Sequence, residues 1–221
     1  QIILGKAKQT REILAAMLAG GHVMLGDIPG VGKTTLAVTF SELLGFQWNR
    51  VQFTPDVLPS DLTGFSIYRR DTQQFEYQEG AVFCNLLLAD ELNRTSPKTQ
   101  SALLEVMEEQ QVTVDRETRK VPSPFFVIAT QNPSGAAGTQ PLPPAQIDRF
   151  MVSMSLGYPD LENEIAMAKG ETVGKNKGKI QQKADIPAFR EMQQQAEQVY
   201  IDDDLYEYIV KLISATRESP Y

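Results

Sequence analysis

Residues 22–35, His-Val-Met-Leu-Gly-Asp-Ile-Pro-Gly-Val-Gly-Lys-Thr-Thr, constrain this chain more than any other stretch. The apolar run from Val23 to Leu25 reads as a buried strand. A glycine-rich turn follows, then Lys33, Thr34, Thr35 and a helical run through Phe40. Strand, Gly-rich turn, Lys-Thr and helix, in that order, are the context of a phosphate-binding loop. Gly30 and Gly32 let the backbone wrap an anion with its N–H groups turned inward. The helix that opens near Lys33 adds the positive end of its dipole. Lys33 can reach the terminal phosphates of a nucleotide, and the Thr34 hydroxyl can ligate Mg²⁺. The strict motif places a glycine five residues before Gly32. Here that position is Asp27, with Gly26 one residue earlier. A tight turn that imitates the motif is the competing reading, but Pro-Gly-Val-Gly-Lys-Thr-Thr keeps every group that touches phosphate. The expected nucleotide contacts are Asp27, Pro29, Gly30, Val31, Gly32, Lys33, Thr34 and Thr35.

The remaining strands and helices form around this unit. Residues 6–19 place Ile13, Leu14, Met17 and Leu18 on one helical face, and Gly20-Gly21 ends that helix. The stretch 46–53 reads as a second strand, with Trp48 packed at its edge. Residues 54–63 read as a loop carrying Pro55 and Pro59, with a possible cap at Ser60 or Asp61. On both sides of Asp71-Thr72-Gln73 apolar and polar residues alternate, so 64–80 is expected to be a β-hairpin, either a site of function or a plain connection. Leu86 to Ala89 is apolar throughout, as a parallel strand buried on both faces should be. Ser96 and Pro97 open a helix to about 109, and a second hairpin spans 112–121. Strands are expected again at 125–130 and 151–156, with a Gly/Pro-rich loop at 133–144. After Tyr158-Pro159-Asp160 the pattern turns helical: 161–169, 187–199 and 203–217. The Lys- and Gly-rich 169–183 stretch reads as a solvated linker, with a functional basic patch as the lesser reading. A boundary near Gly157 divides 1–157 from 158–221.

The end of the Leu86–Ala89 strand carries a second constellation, Asp90-Glu91. A carboxylate there can hold Mg²⁺ through its water shell, and a second acid beside it can polarise an attacking water. Asn132, at the end of the next strand, can sit between that water and the γ-phosphate; a turn-forming Asn before Pro133 is the plainer alternative. Arg149 precedes the last strand and can supply charge in trans if a neighbouring subunit docks there. His22, the one histidine, reads as structural. Cys84, the one cysteine, reads as a packed thiol.

Charge and composition narrow the options. A net charge of −7 argues against a general nucleic-acid binder. A single cysteine allows no intrachain disulfide and suits a reducing compartment. No apolar run reaches about 18 residues, so no membrane-spanning helix is expected, and no signal peptide is visible. A cytoplasmic protein is expected. A chain that opens at Gln1 and stops at Tyr221 reads as a piece of a longer protein.

Six segments together resemble the MoxR family of AAA+ ATPases. They are Gly-Asp-Ile-Pro-Gly-Val-Gly-Lys-Thr-Thr at 26–35, Leu-Pro-Ser-Asp-Leu-Thr-Gly at 58–64 and Leu-Ala-Asp-Glu-Leu-Asn-Arg at 88–94. The others are Lys-Thr-Gln-Ser-Ala-Leu-Leu-Glu-Val-Met-Glu-Glu at 98–109, Phe-Val-Ile-Ala-Thr-Gln-Asn-Pro at 126–133 and Pro-Leu-Pro-Pro-Ala-Gln-Ile-Asp-Arg-Phe at 141–150. The resemblance runs from about Gly5 to the end. It implies an αβα P-loop core with a five-stranded parallel sheet and hairpin inserts, followed by a small helical lid that is incomplete here. It implies Mg-ATP bound between the subunits of a ring, usually a hexamer. It makes Lys33 and Thr34 phosphate and metal contacts, Asp90 and Glu91 the Walker B pair, Asn132 the first sensor and Arg149 the finger given to a neighbour. The hairpins become the family's two inserts, which line a pore or touch a client, and partner proteins often carry von Willebrand factor A domains. Family members continue past an Ala-Thr-Arg like that at 215–217 into a segment with a second sensor arginine, so hydrolysis by the 221 residues alone is expected to be impaired.

The leading expectation is therefore an ATP-hydrolysing ring that acts as a chaperone or remodeller of protein clients. The alternative is a nucleotide-gated assembly or binding module that hydrolyses little. A DNA-dependent motor fits the acidic charge poorly, and a P-loop kinase gains little from Glu91 poised to activate water.

Overall fold

The three central strands of the sheet are short and mostly apolar. In the computed structural model, which describes residues 6–26, 32–131, 139, 141–157, 161–169 and 181–218, the strands are β1 (Val23–Leu25), β2 (Trp48–Gln52), β3 (Phe65–Arg69), β4 (Gln74–Gln78), β5 (Leu86–Asp90), β6 (Gln111–Val114), β7 (Glu117–Lys120), β8 (Phe126–Thr130) and β9 (Val152–Met154). The helices are α1 (Ala7–Leu18), α2 (Lys33–Leu44), α3 (Pro59–Thr63), α4 (Pro97–Glu109), α5 (Pro144–Ile147), α6 (Leu161–Ala168), α7 (Ile186–Glu197) and α8 (Asp203–Glu218). Five strands form one parallel sheet in the order β2-β5-β8-β1-β9. The expected five-stranded parallel αβα core is the observed one.

Two-sided burial explains why the central strands are apolar up to their last residues. Val23 and Leu25 of β1, Leu86 and Leu88 of β5, and Phe126 and Ile128 of β8 pack on one face with Ile13 and Met17 of α1 and Leu36 and Phe40 of α2. Met24, Leu87, Ala89, Val127 and Ala129 point the other way and pack with Leu103 and Met107 of α4. This is the period-2 alternation of a strand, with an apolar layer on both sides. Each fully buried Leu, Ile or Phe contributes about 1.5–3 kcal/mol relative to exposure. Phe189 of α7 inserts into the first layer. Its ring meets Phe46 edge-on at 5.3 Å and Phe126 at 5.7 Å. Trp48 is half-buried on the edge strand β2, where the sequence placed it.

Both expected hairpins form, as β3–β4 and β6–β7. They touch each other: the Arg119 guanidinium of β7 stacks 3.9 Å over the Tyr77 ring of β4. The Tyr77 hydroxyl donates to the Thr63 carbonyl at the end of α3. At the foot of the first hairpin Gly80 lies against α3, and a Cβ there would stand 2.2 Å from the Leu62 carbonyl oxygen. Only glycine fits that approach. Phe75 and Tyr68 are exposed on this hairpin and pack edge-on at 5.3 Å.

One short helix, α3, stands within the expected 54–63 loop, and another, α5, begins at the end of the expected 133–144 loop. In α3, Pro59 takes the first helical turn and the Asp61 carboxylate accepts the Leu58 N–H at 2.8 Å. In α5, Pro144 again starts the turn. Proline at the first position and an acid three residues past the cap are helix-start signals. They are hard to read over four or five residues.

His22 is buried structurally, as expected. Its Nδ1 accepts the Val127 N–H at 3.0 Å, so Nε2 carries the proton and donates to the Met107 carbonyl at 3.2 Å. The ring thus ties β1 to β8 and to α4 in its neutral form. Burial, only partly offset by the Met107 hydrogen bond, pulls its pKa below the ordinary 6.5. Burial likewise pushes the Cys84 thiol up to about 12, so it is an inert packed group. The pH consequence has a definite sign. The unfolded chain binds a proton at His22 more readily than the folded one, so stability rises with pH across that window. The melting temperature is expected to be constant above about pH 7 and to fall as pH drops below the unfolded histidine value of about 6.5. Because His22 is the one histidine, His22→Gln should flatten the slope between about pH 5 and 7 in thermal melts.

Candidate active site

Parallel register brings Lys33, Asp90 and Glu91 to one edge. Leu25, the last residue of β1, is level with Thr130 of β8, and Ala89 of β5 is level with Ala129. The chain therefore leaves β1 at Gly26, β5 at the Asp90-Glu91 pair and β8 at Gln131 side by side, at the carboxyl ends of the strands. In open α/β sheets this edge is where ligands bind. α2 begins at Lys33, and Gly32 precedes it at φ +92°, a backbone angle that favours glycine. Lys33 is buried, Thr34 is half-buried, and Gly32 and Thr35 are exposed.

Asp90 is held from three directions. Its Oδ1 accepts the Thr130 hydroxyl at 2.6 Å, and its Oδ2 accepts Arg50 Nη2 at 2.7 Å. Burial works to raise the Asp90 pKa. The hydrogen bonds from Thr130 and Arg50 and the charges of Arg50 and Lys33 outweigh it and hold the carboxyl below its usual value. Lys33 and Asp90, 57 residues apart in sequence, thus act on each other across the sheet edge. The Thr130 hydroxyl also accepts the Glu91 backbone N–H at 2.8 Å. One buried hydroxyl on β8 therefore sets both acids of β5. Glu91 sits at φ +58°, just before a 3₁₀ turn at Leu92–Arg94, and its carboxylate pairs with Arg94 at 2.7 Å.

Sequence reading missed Arg50, Arg94 and Thr130. Arg50 and Thr130 lie about 40 residues from the acids they touch, so only strand pairing brings them together. Arg94 was legible, since a cation three residues after Glu91 across a turn is a common pairing. The other expected positions divide in two. Asp27, Pro29, Gly30, Val31 and Asn132 lie outside the described residues. Arg149 is described and exposed, and its guanidinium pairs with Glu108 at the end of α4.

Comparison with known proteins follows this geometry. Residues 22–152 match the model of the ATPase family associated with various cellular activities (AAA). The chain is 41% identical over 220 residues to the chaperone MoxR1 of Mycobacterium tuberculosis, covering 99% of this chain and 57% of that protein. It belongs to the MoxR family of AAA+ ATPases. Another relative in sequence, YeaC of Bacillus subtilis, is 46% identical over 220 residues, which is 100% of this chain and 69% of YeaC. A crystal structure from Cytophaga hutchinsonii, assigned as an ATPase, superposes with a TM-score of 0.86 at 38% identity. It covers 97% of this chain and 65% of that one. The chain thus spans 57% of MoxR1, 65% of the Cytophaga hutchinsonii chain and 69% of YeaC.

The donors at this edge of the MoxR-type core suit Mg²⁺. The Thr34 hydroxyl and Asp90 carboxylate are hard oxygen ligands. A carboxylate has about four lone-pair sites, so the bonds from Thr130 and Arg50 leave room for a metal's water shell. Among the described residues no group of three or more His, Cys, Asp or Glu could hold a metal ion. Thr34 and Asp90 would hold the ion only together with phosphate oxygens and water, as Mg²⁺ sites commonly do.

Thr130→Val keeps the shape and removes the hydroxyl, which leaves the Glu91 N–H and an Asp90 oxygen without their partner. A loss of about 1–3 kcal/mol is expected in chemical denaturation. Thr130→Ser, which restores the oxygen, should recover most of it.

Proposed function

We propose that this chain is the nucleotide-binding unit of a ring ATPase that binds Mg-ATP between subunits, hydrolyses it and uses the cycle to remodel protein clients. The observation that carries the reading is the meeting of Lys33 with Asp90 and Glu91 at one sheet edge, with Asp90 held ionised beside the lysine. In this reading residues 27–35 cradle the phosphates, and Lys33 neutralises the terminal ones. Thr34 and Asp90 would hold Mg²⁺, Asp90 through water. The bound ion supplies charge neutralisation as the bond to the leaving phosphate breaks. Glu91 takes a proton from the attacking water as its oxygen bonds to the γ-phosphorus and ADP departs. Asn132 orients that water. Arg149, exposed on the surface, reaches the γ-phosphate of the neighbouring subunit and stabilises its developing charge.

Residues 1–157 form the core of this motor and 158–221 a lid. A hexameric ring in the cytoplasm, with a protein client or a von Willebrand factor A-domain partner, is the assembly the family resemblance favours. The chaperone name of MoxR1 supports the client half of that reading.

The test is steady-state ATP hydrolysis per subunit across a range of protein concentration, with Glu91→Gln beside the wild type. A rate per subunit that climbs with concentration and is lost in the variant, by about 100-fold or more, is expected of a general base in a site completed between subunits. ATP bound at every concentration with no hydrolysis above the variant would instead mark the chain as a nucleotide-gated binding module.

A further inference from the structure

The proposed base, Glu91, is itself held by a second residue, and the way it is held is unusual. Arg94 ends the 3₁₀ turn that follows β5, and its backbone N–H donates to the Glu91 carbonyl at 2.9 Å. The turn is clamped from α4: the buried Gln100 amide donates to the carbonyls of Leu92 at 3.2 Å and Thr95 at 3.3 Å. Glu91 is pinned at the other side by the Thr130 hydroxyl on its N–H. The short, clamped turn brings the Arg94 guanidinium back onto Glu91, where Nη1 donates to Oε2 at 2.7 Å. Stability does not account for the pair. Both side chains keep contact with solvent, 38% for Arg94 and 17% for Glu91, and such pairs add little to folding. The geometry also carries a cost: Arg94 Nε is buried and has no hydrogen-bond acceptor among the described residues. A buried donor left without a partner is destabilising and rare. The same guanidinium keeps Nη1 on the acid.

We propose that Arg94 is the positioning residue of the Glu91 carboxylate: Nη1 anchors Oε2, and Oε1 is thereby aimed at the water that attacks the γ-phosphorus. This deepens the reading of the site as an ATPase and rests on it. In the step itself, the water oxygen bonds to phosphorus as the bond to ADP breaks, and the water proton passes to Oε1. Arg94 exchanges no proton. It acts by removing the rotamer freedom of a flexible acid whose misplacement by about 1 Å would cost on the order of 100-fold in rate. A planar fork suits that task better than an ammonium.

The experiment compares wild type with Arg94→Met, Arg94→Lys, Glu91→Gln and the Glu91→Gln/Arg94→Met double variant in the whole protein. It measures kcat and KM for ATP, the affinity for a fluorescent ATP analogue, and thermal midpoints. Met keeps the apolar stem and removes the fork. The expected result is a kcat lower by about 10- to 100-fold in Arg94→Met, with KM and analogue affinity within about twofold of wild type. Arg94→Lys should regain part of the rate. The double variant should be no slower than Glu91→Gln, because Arg94 works through Glu91. A wild-type kcat in Arg94→Met, a further loss on top of Glu91→Gln, or a loss of analogue affinity that matches the loss of rate would each overturn the proposal. If Arg94→Met does not fold, Arg94→Lys and its combination with Glu91→Gln decide by the same comparison. A wild type that binds the analogue without hydrolysing ATP overturns the ATPase reading itself, before any variant is compared.

Discussion

Everything at the candidate site depends on the register of β5 against β8 and of β8 against β1. The three strands run parallel and end level with one another. That alignment is fixed by apolar packing on both faces, since sliding one strand by a single residue would exchange its two layers. With the register set, the Thr130 hydroxyl falls between the Asp90 carboxylate and the Glu91 backbone. The chemistry of the edge is thus a by-product of how Leu, Val, Ile and Phe side chains fill the two layers beneath it.

The electrostatics of that edge run against those of the chain. The chain carries −7 overall, yet its two central acids are met by Arg50, Arg94 and Lys33. Burial would drive Asp90 toward its neutral form; hydrogen bonds and neighbouring cations keep it charged. Asp90 is thereby kept in its charged form at the sheet edge, with cations on more than one side of it. Global charge speaks of solubility and partners; it says little about which cations stand beside a given acid.

Much of this was legible from residues alone, for physical reasons. Leu86–Ala89 and Phe126–Thr130 are apolar because both of their faces are covered, and such runs announce parallel strands. Lys33, Asp90 and Glu91 sit at strand ends and helix starts, where backbone geometry and sequence pattern coincide. What escaped were contacts between distant residues. Arg50 and Thr130 look ordinary in sequence and become partners of Asp90 only through strand pairing. The helices α3 and α5 escaped because five and four residues give no period to read, and proline there signals a loop as readily as a first turn. His22 shows the opposite case: a lone histidine opening an apolar strand read as a structural tie, and it is one.

The stacking of Arg119 on Tyr77 couples two excursions of the chain that sequence treats as separate. Tyr77 is in turn bonded to the end of α3, and the segment just before α3 is tied to α4 where the Thr99 hydroxyl donates to the Val57 carbonyl at 2.9 Å. α4 clamps the turn that carries Arg94. A push on the outer tip of either hairpin therefore has a mechanical route, through a ring, a short helix and a glutamine, to the acid at the sheet edge. The weakest joint on that route is the cation on the ring, worth about 0.5–1 kcal/mol where solvent reaches it. A contact of that size holds the two hairpins together at rest and costs little to part.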